Sequence, residues 1–325
     1  MTAAATRTLR VGTRASALAR AQTGQVVNAL GVPVEVVPIV TAGDRTPEPL
    51  AQIGGTGVFV SALRHALMAG DIDVAVHSYK DLPTAPAEGF VVAAVPVRDD
   101  PRDALVARDG RALGELPAGA LVGTGSPRRA AQLRALGLGL RIVELRGNVD
   151  TRLGKVAEGT LDAVVLAYAG LRRLGRAEEV SEILDPIQLL PAPGQGALAV
   201  ECRAADSGAI EIVSALDDKA TRAAVAAERA VLFALDAGCS APIGALAEVA
   251  AGDTGDEIYL RGSVTALDGS DAVRRSVTGP LTDAEGVGRR LAAGLLADGA
   301  DTMMAATLVG GRDMGSSACL ERASQ

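Results

Sequence analysis

The stretch LVGTGSPRRAAQLRAL, residues 121–136, reads as a short apolar strand, a glycine turn and a helix. Ser126 is a candidate N-cap and Pro127 suits the first helical position, where its missing N–H costs nothing. An earlier stretch, LRVGTRASALARAQTGQVVNAL (residues 9–30), follows the same plan: a strand, the turn Gly12-Thr13-Arg14, and a helix running to Leu30. Two copies of one strand–turn–helix unit predict two similar lobes facing each other across a cleft.

Reading outward from each copy extends the pattern. VEVVPIV (34–40) is a strand, IGGTGVFVSALRHALMAG (53–70) is a glycine loop opening a helix, and DIDVAVHSYKDLP (71–83) is a strand with His77, Ser78, Tyr79, Lys80 and Asp81 at its end. After the second copy, LRIVELRGNVDTRLGKV (140–156) and LDAVVLAYAGLRRLG (161–175) repeat the alternation. Strands alternating with helices imply a mainly parallel sheet covered on both faces. The pattern changes after LLPAPGQGALAVECR (189–203), a Pro/Gly hinge followed by a strand. DDKATRAAVAAERAVLFAL (217–235) is a long helix ending at Gly238, IGALAEVA (243–250) and IYLRGSVTALDGSDAVRRSVTG (258–279) are antiparallel strands, and DAEGVGRRLAAGLLADGA (283–300) is a closing helix. This is a separate, smaller α+β domain.

Composition narrows the function. With 325 residues the chain suits two or three domains, and 48% hydrophobic residues with 2% aromatics require a core of Ala, Val, Leu and Ile. No apolar run approaches the roughly 18 residues of a membrane helix, and the opening MTAAATRTLR has no secretory core, so a cytoplasmic protein with no membrane partner is expected. A net charge of -7 argues against a nucleic-acid partner. Three widely spaced cysteines and two histidines predict neither a metal site nor disulfides.

Ligands in open α/β sheets sit beyond the C-terminal strand ends, near free helix N–H groups. This chain places Arg14 and Ser16, then Lys80 and Asp81, then Ser126, Arg128 and Arg129, then Arg146 and Arg152, and finally Arg173 at such positions. Six guanidinium groups from two lobes would repel one another unless the ligand carries several negative charges, and a planar fork suits carboxylates. A polycarboxylate or polyphosphate is expected; no Walker A spacing is present. Asp81, one carboxylate among cations, is suited to stabilising a developing positive charge or moving a proton. Taken singly, arginine pairs on helices form solvated faces, and it is their shared placement that argues for a site. His77 reads equally as a general base or as a structural hydrogen-bonding group at the strand end, His65 as structural, Cys202 as a small buried hydrophobe and Cys319 as a tail thiol.

In that order, HSYKDLPT (77–84), DDPRDALVARDG (99–110), GTGSPRRAAQL (123–133), LRGNVDTRL (145–153), AGLRRLG (169–175), LPAPGQGALAVECR (190–203) and GCSAPIGA (238–245) resemble the porphobilinogen deaminase family. The resemblance implies an α/β fold of two periplasmic-binding-protein-like lobes with an active-site cleft between them, plus a smaller C-terminal α+β domain. It implies residues 7–97 and 194–213 for domain 1, 98–193 for domain 2, 214–314 for domain 3 and a tail over 315–325. It also implies a dipyrromethane cofactor held by a thioether to Cys239, and a monomer whose small-molecule substrate is porphobilinogen. Four substrate molecules would be joined head to tail with loss of ammonia, giving the linear hydroxymethylbilane. By the same resemblance Asp81 is catalytic, and Arg14, Arg128, Arg129, Arg146, Arg152 and Arg173 hold the acetate and propionate groups. Ser16, Ser78, Lys80, Thr124, Ser126, Gly147 and Gln195 complete the binding set, and Phe59 packs on a pyrrole ring. Gln52 and Thr56 stand where many relatives have lysines, so the loop from Thr46 to Gly57 is expected either to contact substrate less electrostatically or to act mainly as a lid. Two other readings share some of these features: a two-lobed solute- or effector-binding module, and a transferase that uses Cys239 as a nucleophile beside a base.

Overall fold

The computed structural model describes residues 7–39, 58–236, 241–252 and 255–304, the side chains of Val58 and Phe59 excepted. The first lobe runs through β1 (Leu9–Arg14), α1 (Ala17–Leu30), β2 (Val34–Ile39), α2 (Val58–Ala69), β3 (Val74–Ser78) and β4 (Phe90–Ala94). The second follows with β5 (Asp103–Ala107), β6 (Leu121–Thr124), α3 (Pro127–Ala135), β7 (Arg141–Glu144), α4 (Val149–Ala157), β8 (Ala163–Ala167), α5 (Tyr168–Arg173) and β9 (Glu182–Ile183). The chain then returns through β10 (Leu198–Arg203) and α6 (Ser207–Ser214).

The first sheet has the order β2-β1-β3-β10-β4 and the second β7-β6-β8-β5-β9. In each, the strand in fourth place is antiparallel to both neighbours while the others run one way. Those reversed strands, β10 and β5, are the first elements after each crossing between lobes. The mainly parallel sheet expected from the alternation is therefore interrupted once per lobe, because a strand entering from the neighbouring lobe arrives from the opposite end.

The lobes repeat each other locally. Ser126 accepts a hydrogen bond from the Arg129 N–H and Pro127 opens α3; Ser16 caps α1 in the same way through Ala19. The expected turn at Gly12-Thr13-Arg14 is instead the end of β1, paired with β2 as far as Arg14–Ile39. Gly12 belongs in the strand because a Cβ there would come within 2.4 Å of Ile72 Cδ1. Its counterpart in β6, Gly123, would meet Leu161 Cδ1 at 2.7 Å. Both glycines let a neighbouring aliphatic side chain reach the sheet.

The third domain packs α7 (Lys219–Ala234) and α8 (Ala284–Ala297) on an antiparallel sheet of β11 (Ile243–Gly252), β12 (Gly255–Thr265) and β13 (Ala272–Pro280). Val231, Leu260, Leu291 and Leu295 lie in its core. α7 ends before the expected Gly238: its last helical residue is Ala234, and Asp236 takes a left-handed φ of 48°. Cys239, Cys319, Gln52 and Thr56 lie outside the described residues. Among the described residues, no helix is long and apolar enough to cross a membrane.

Candidate active site

One cavity opens where the lobes face each other. Lobe 1 lines it with Arg14, Ser16, Ser78, Lys80 and Asp81 from the ends of β1 and β3, and lobe 2 lines it with Arg173 and the start of α5; Gly196 of the crossing closes the set. Asp81 is exposed at the end of a 3-10 turn over Tyr79–Asp81 that caps β3. Lys80 is half-buried and donates from Nζ to Gln195 Oε1 at 3.3 Å. Burial, with the Arg129 charge added, lowers the Lys80 ammonium to about 8 against the opposing pull of Asp81.

Arg128 and Arg129 stand behind this cavity on a shared counter-ion. Asp103, the first residue of β5, is 0% exposed and accepts from Arg128 Nη2 at 2.8 Å and from Arg129 Nε at 2.9 Å. Burial pushes its carboxyl up, but the two guanidinium charges and the bonds from Arg129 and Gln195 outweigh that and hold it at about 2. Gln195 donates to Asp103 Oδ1 at 2.8 Å and to the Pro101 carbonyl at 2.7 Å, and its own carbonyl accepts from Arg129 at 3.2 Å. The amide thus links the lobe 2 arginines to the lobe 1 lysine. Arg128 also donates to the Leu190 carbonyl at 2.6 Å, while its buried Nε has no hydrogen-bond partner among the described residues.

The remaining candidates are spread along lobe 2. Arg173 is nearly buried and joins the lobes, donating to Gln25 Oε1 of α1 at 3.0 Å and to the Gly196 carbonyl at 2.7 Å. Arg152 donates to the Gly147 carbonyl at 2.9 Å and has no carboxylate within ion-pair distance among the described residues. Burial, then the nearby Arg129 and Arg146 charges, lowers its pKa. Arg146 is exposed and pairs with Glu144 at 3.0 Å, Gly147 takes a φ of 107°, and Thr124 accepts from the Ser126 N–H at 3.2 Å. Phe59 lies in the first turn of α2, with its side chain outside the described residues. His77 bonds the buried Glu201 at 3.1 Å, as its structural reading expected. Cys202 is fully buried, and burial pushes its thiol up to about 12, which suits the inert hydrophobe expected of it.

Sequence reasoning missed the residues that hold the cations in place. Asp103, in DPRD, was not among the candidate residues, yet it starts the reversed strand. Glu228, at 0% exposure, ties the crossings to the third domain: it accepts from Arg98 at 2.6 and 3.0 Å, from the Gly194 N–H at 2.6 Å and from the Ala247 N–H at 2.8 Å. A buried carboxylate inside an amphipathic helix was the available signal, since an unpaired charge there is too costly to keep.

Two α/β lobes that meet at a cation-lined cleft, with one exposed carboxylate at a strand end, define a class of two-lobed proteins suited to a polyanionic ligand. Residues 9–211 match the family described as "Porphobilinogen deaminase, dipyromethane cofactor binding domain", and residues 222–297 match "Porphobilinogen deaminase, C-terminal domain". The chain is 59% identical to the porphobilinogen deaminase of Nocardia farcinica, with 96% of this chain and 93% of that protein covered. It is 58% identical to those of Mycobacterium bovis (91% and 98% covered) and Mycobacterium avium (91% and 96% covered). The chain belongs to the porphobilinogen deaminase family. Membership makes it a transferase of tetrapyrrole biosynthesis with a dipyrromethane cofactor, and the solute-binding alternative is not favoured. Among solved structures, the methionine-binding protein MetQ aligns at a TM-score of 0.41 and 14% identity, covering 64% of this chain and 89% of its own. The L-cystine solute receptor of Neisseria gonorrhoeae aligns at 0.36 and 17% identity, covering 64% and 84%.

The residues present fit such a cofactor. Two pyrroles bearing acetate and propionate groups bring several carboxylates, and among the described residues Arg152 has no carboxylate partner and the Arg128 Nε no hydrogen-bond partner.

Proposed function

We propose that the chain joins four porphobilinogen molecules head to tail at this cleft, releases ammonia at each addition, and frees hydroxymethylbilane by hydrolysis. The observation that carries this reading is the cavity that brings Asp81 and Lys80 of lobe 1 together with Arg173 of lobe 2. The bound dipyrromethane would supply the free pyrrole α-carbon that bonds to the substrate methylene, that carbon losing its proton as the bond forms. Arg14, Lys80 and Arg173 hold substrate carboxylates, with Ser16 and Ser78 beside them, while Arg146, Arg152, Gly147, Thr124 and Ser126 line the route along lobe 2. Arg128, Arg129 and Gln195 serve the same anions from behind, through the Asp103 network. The Asp81 carboxylate accepts from the substrate's aminomethyl ammonium, guides its departure as ammonia, and offsets the positive charge left on the methylene. Cys239 carries the thioether because a thiolate is a soft nucleophile toward such a methylene carbon, and Phe59 packs on a ring.

In this proposal domain 1 comprises residues 7–97 and 194–213, domain 2 residues 98–193 and domain 3 residues 214–314, supported by the sheet memberships of β5 and β10. The protein acts as a cytoplasmic monomer with no nucleic-acid or membrane partner. Intact mass and peptide mapping test the anchor: wild type should carry a two-pyrrole increment on the Cys239 peptide, and Cys239→Ala should carry none and not turn over. Asp81→Asn should keep the increment and lose most turnover; full activity in either variant overturns the corresponding role.

A further inference from the structure

We infer that Arg229, on α7 of the third domain, is a positioning residue that holds the turn presenting Lys80 and Asp81 to the cleft. This inference rests on the proposed role of Asp81. The turn leaves β3 with two of its backbone donors satisfied: the Tyr79 N–H bonds the Ala197 carbonyl at 3.0 Å, and the Leu82 N–H bonds the Tyr79 carbonyl at 3.1 Å. The Tyr79 carbonyl and those of Leu82 and Pro83 just after the turn face α7. Arg229 Nη1 donates to the Tyr79 and Leu82 oxygens at 3.3 and 2.9 Å, and Nη2 donates to the Pro83 oxygen at 2.5 Å. One planar fork therefore spans three backbone acceptors on either side of Lys80 and Asp81, a geometry that a lysine ammonium on a single stem does not reproduce.

The same guanidinium stands 4.8 Å from the Tyr79 ring centroid, within cation–π range. That ring packs against two small apolar clusters, Val60, Leu82 and Ala199 in one and Val95, Ala197 and Val225 in the other, and burial raises the pKa of its hydroxyl. On the opposite side the crossing closes in: a Cβ on Gly194 would lie 3.3 Å from the Lys80 nitrogen of the backbone. The turn is thus gripped from two sides, by α7 and by the crossing, and Glu228 beside Arg229 fastens that crossing to the same helix. α7 ends at Ala234, five residues before Cys239. One helix accordingly carries both the stem of the proposed anchor and the clamp on the proposed catalytic turn. The bonds of Arg229 to this segment, as the described residues show them, go to backbone carbonyls, so the arginine acts through the backbone.

The test compares Arg229→Met, Arg229→Lys and Asp81→Asn holoenzymes, with kcat expressed per molecule shown by intact mass to carry the dipyrromethane. Because a misplacement of about 1 Å can cost on the order of 10²-fold in rate, Arg229→Met should lose about that factor in kcat with a much smaller change in KM and full cofactor loading. Arg229→Lys should recover part of the loss. A purely structural arginine would lower the melting temperature and the yield while leaving kcat per loaded molecule at the wild-type value, and that result overturns the inference. If Arg229→Met does not fold, Arg229→Lys decides by the same criterion. Asp81→Asn separates the two claims: inactive Asp81→Asn with fully active Arg229 variants refutes the positioning role alone, whereas active Asp81→Asn refutes the reading of Asp81 on which it rests.

Discussion

In lobe 1 the reversed strand β10 buries Glu201 between Arg64, at 2.8 Å, and His77, at 3.1 Å; in lobe 2 the reversed strand β5 buries Asp103 between Arg128 and Arg129, each at 2.8 Å. The topological position is the same, but the surroundings differ. The Arg64 side chain is 19% exposed and can turn to water, whereas those of Arg128 and Arg129 are 3% and 6% exposed. Gln195 of the crossing joins the Asp103 cluster and extends it to Lys80. One carboxylate pins a helix to its sheet, and the other stations cations beside the cleft.

The largest expected effect follows from removing the charge that holds the buried arginines. Asp103→Asn should cost about 3–5 kcal/mol of stability, because it leaves buried guanidinium charges uncompensated. Urea unfolding measures it, and intact mass should show reduced cofactor loading; a loss no larger than that of the lobe 1 variant breaks the contrast. Glu201→Gln should cost less, about 1.5–3 kcal/mol for the lost charge-assisted bonds, with turnover per loaded molecule unchanged. Reduced turnover there would mean that both carboxylates serve the site.

The contrast also has a pH signature. The Asp103 carboxyl is depressed from 3.8 to about 2, so its contribution to stability is complete above 3.8 and is lost as the pH falls toward 2. Acid unfolding of wild type and Asp103→Asn should therefore converge in that window; parallel curves would mean that Asp103 is not the group titrating. The smallest effect concerns Lys80, whose charge is present below about 8 and is lost as the pH rises through it. A KM series spanning pH 8 should rise on the alkaline side in wild type and stay flatter in Lys80→Arg, since a guanidinium keeps its charge there.

Local features were legible in the sequence because neighbouring residues determine them. The Ser126–Pro127 start of α3 and the helix after β1 both follow from side chains acting on their own backbone. The end of β1 was misread because glycine is an ordinary turn signal, and only the approach of Ile72, sixty residues away, explains Gly12 within a strand. The reversed strands were not legible from periodicity, since pairing direction leaves no trace in an apolar run. Candidate cations could be named from their strand-end positions, but not their partners. Asp103 and Gln195 reach Arg129 across 26 and 66 residues, and nothing local to DPRD or PGQG announces it.

The insertion of β10 between β3 and β4 also sets an order of assembly. β3 pairs with β10 at Val76–Val200, and β4 pairs with it at Ala94–Val200, so both strands lack that partner until more than a hundred further residues have left the ribosome. The second sheet draws all its strands from one continuous stretch, Asp103 to Ile183. Closing long loops is slow, and the lobe nearer the N-terminus should therefore be the later to complete. Pulsed hydrogen exchange during refolding should protect β6 and β8 before β3. The strand that finishes lobe 1 also brings Gln195 just ahead of it, so the polar bridge across the cleft closes only when the slower lobe does.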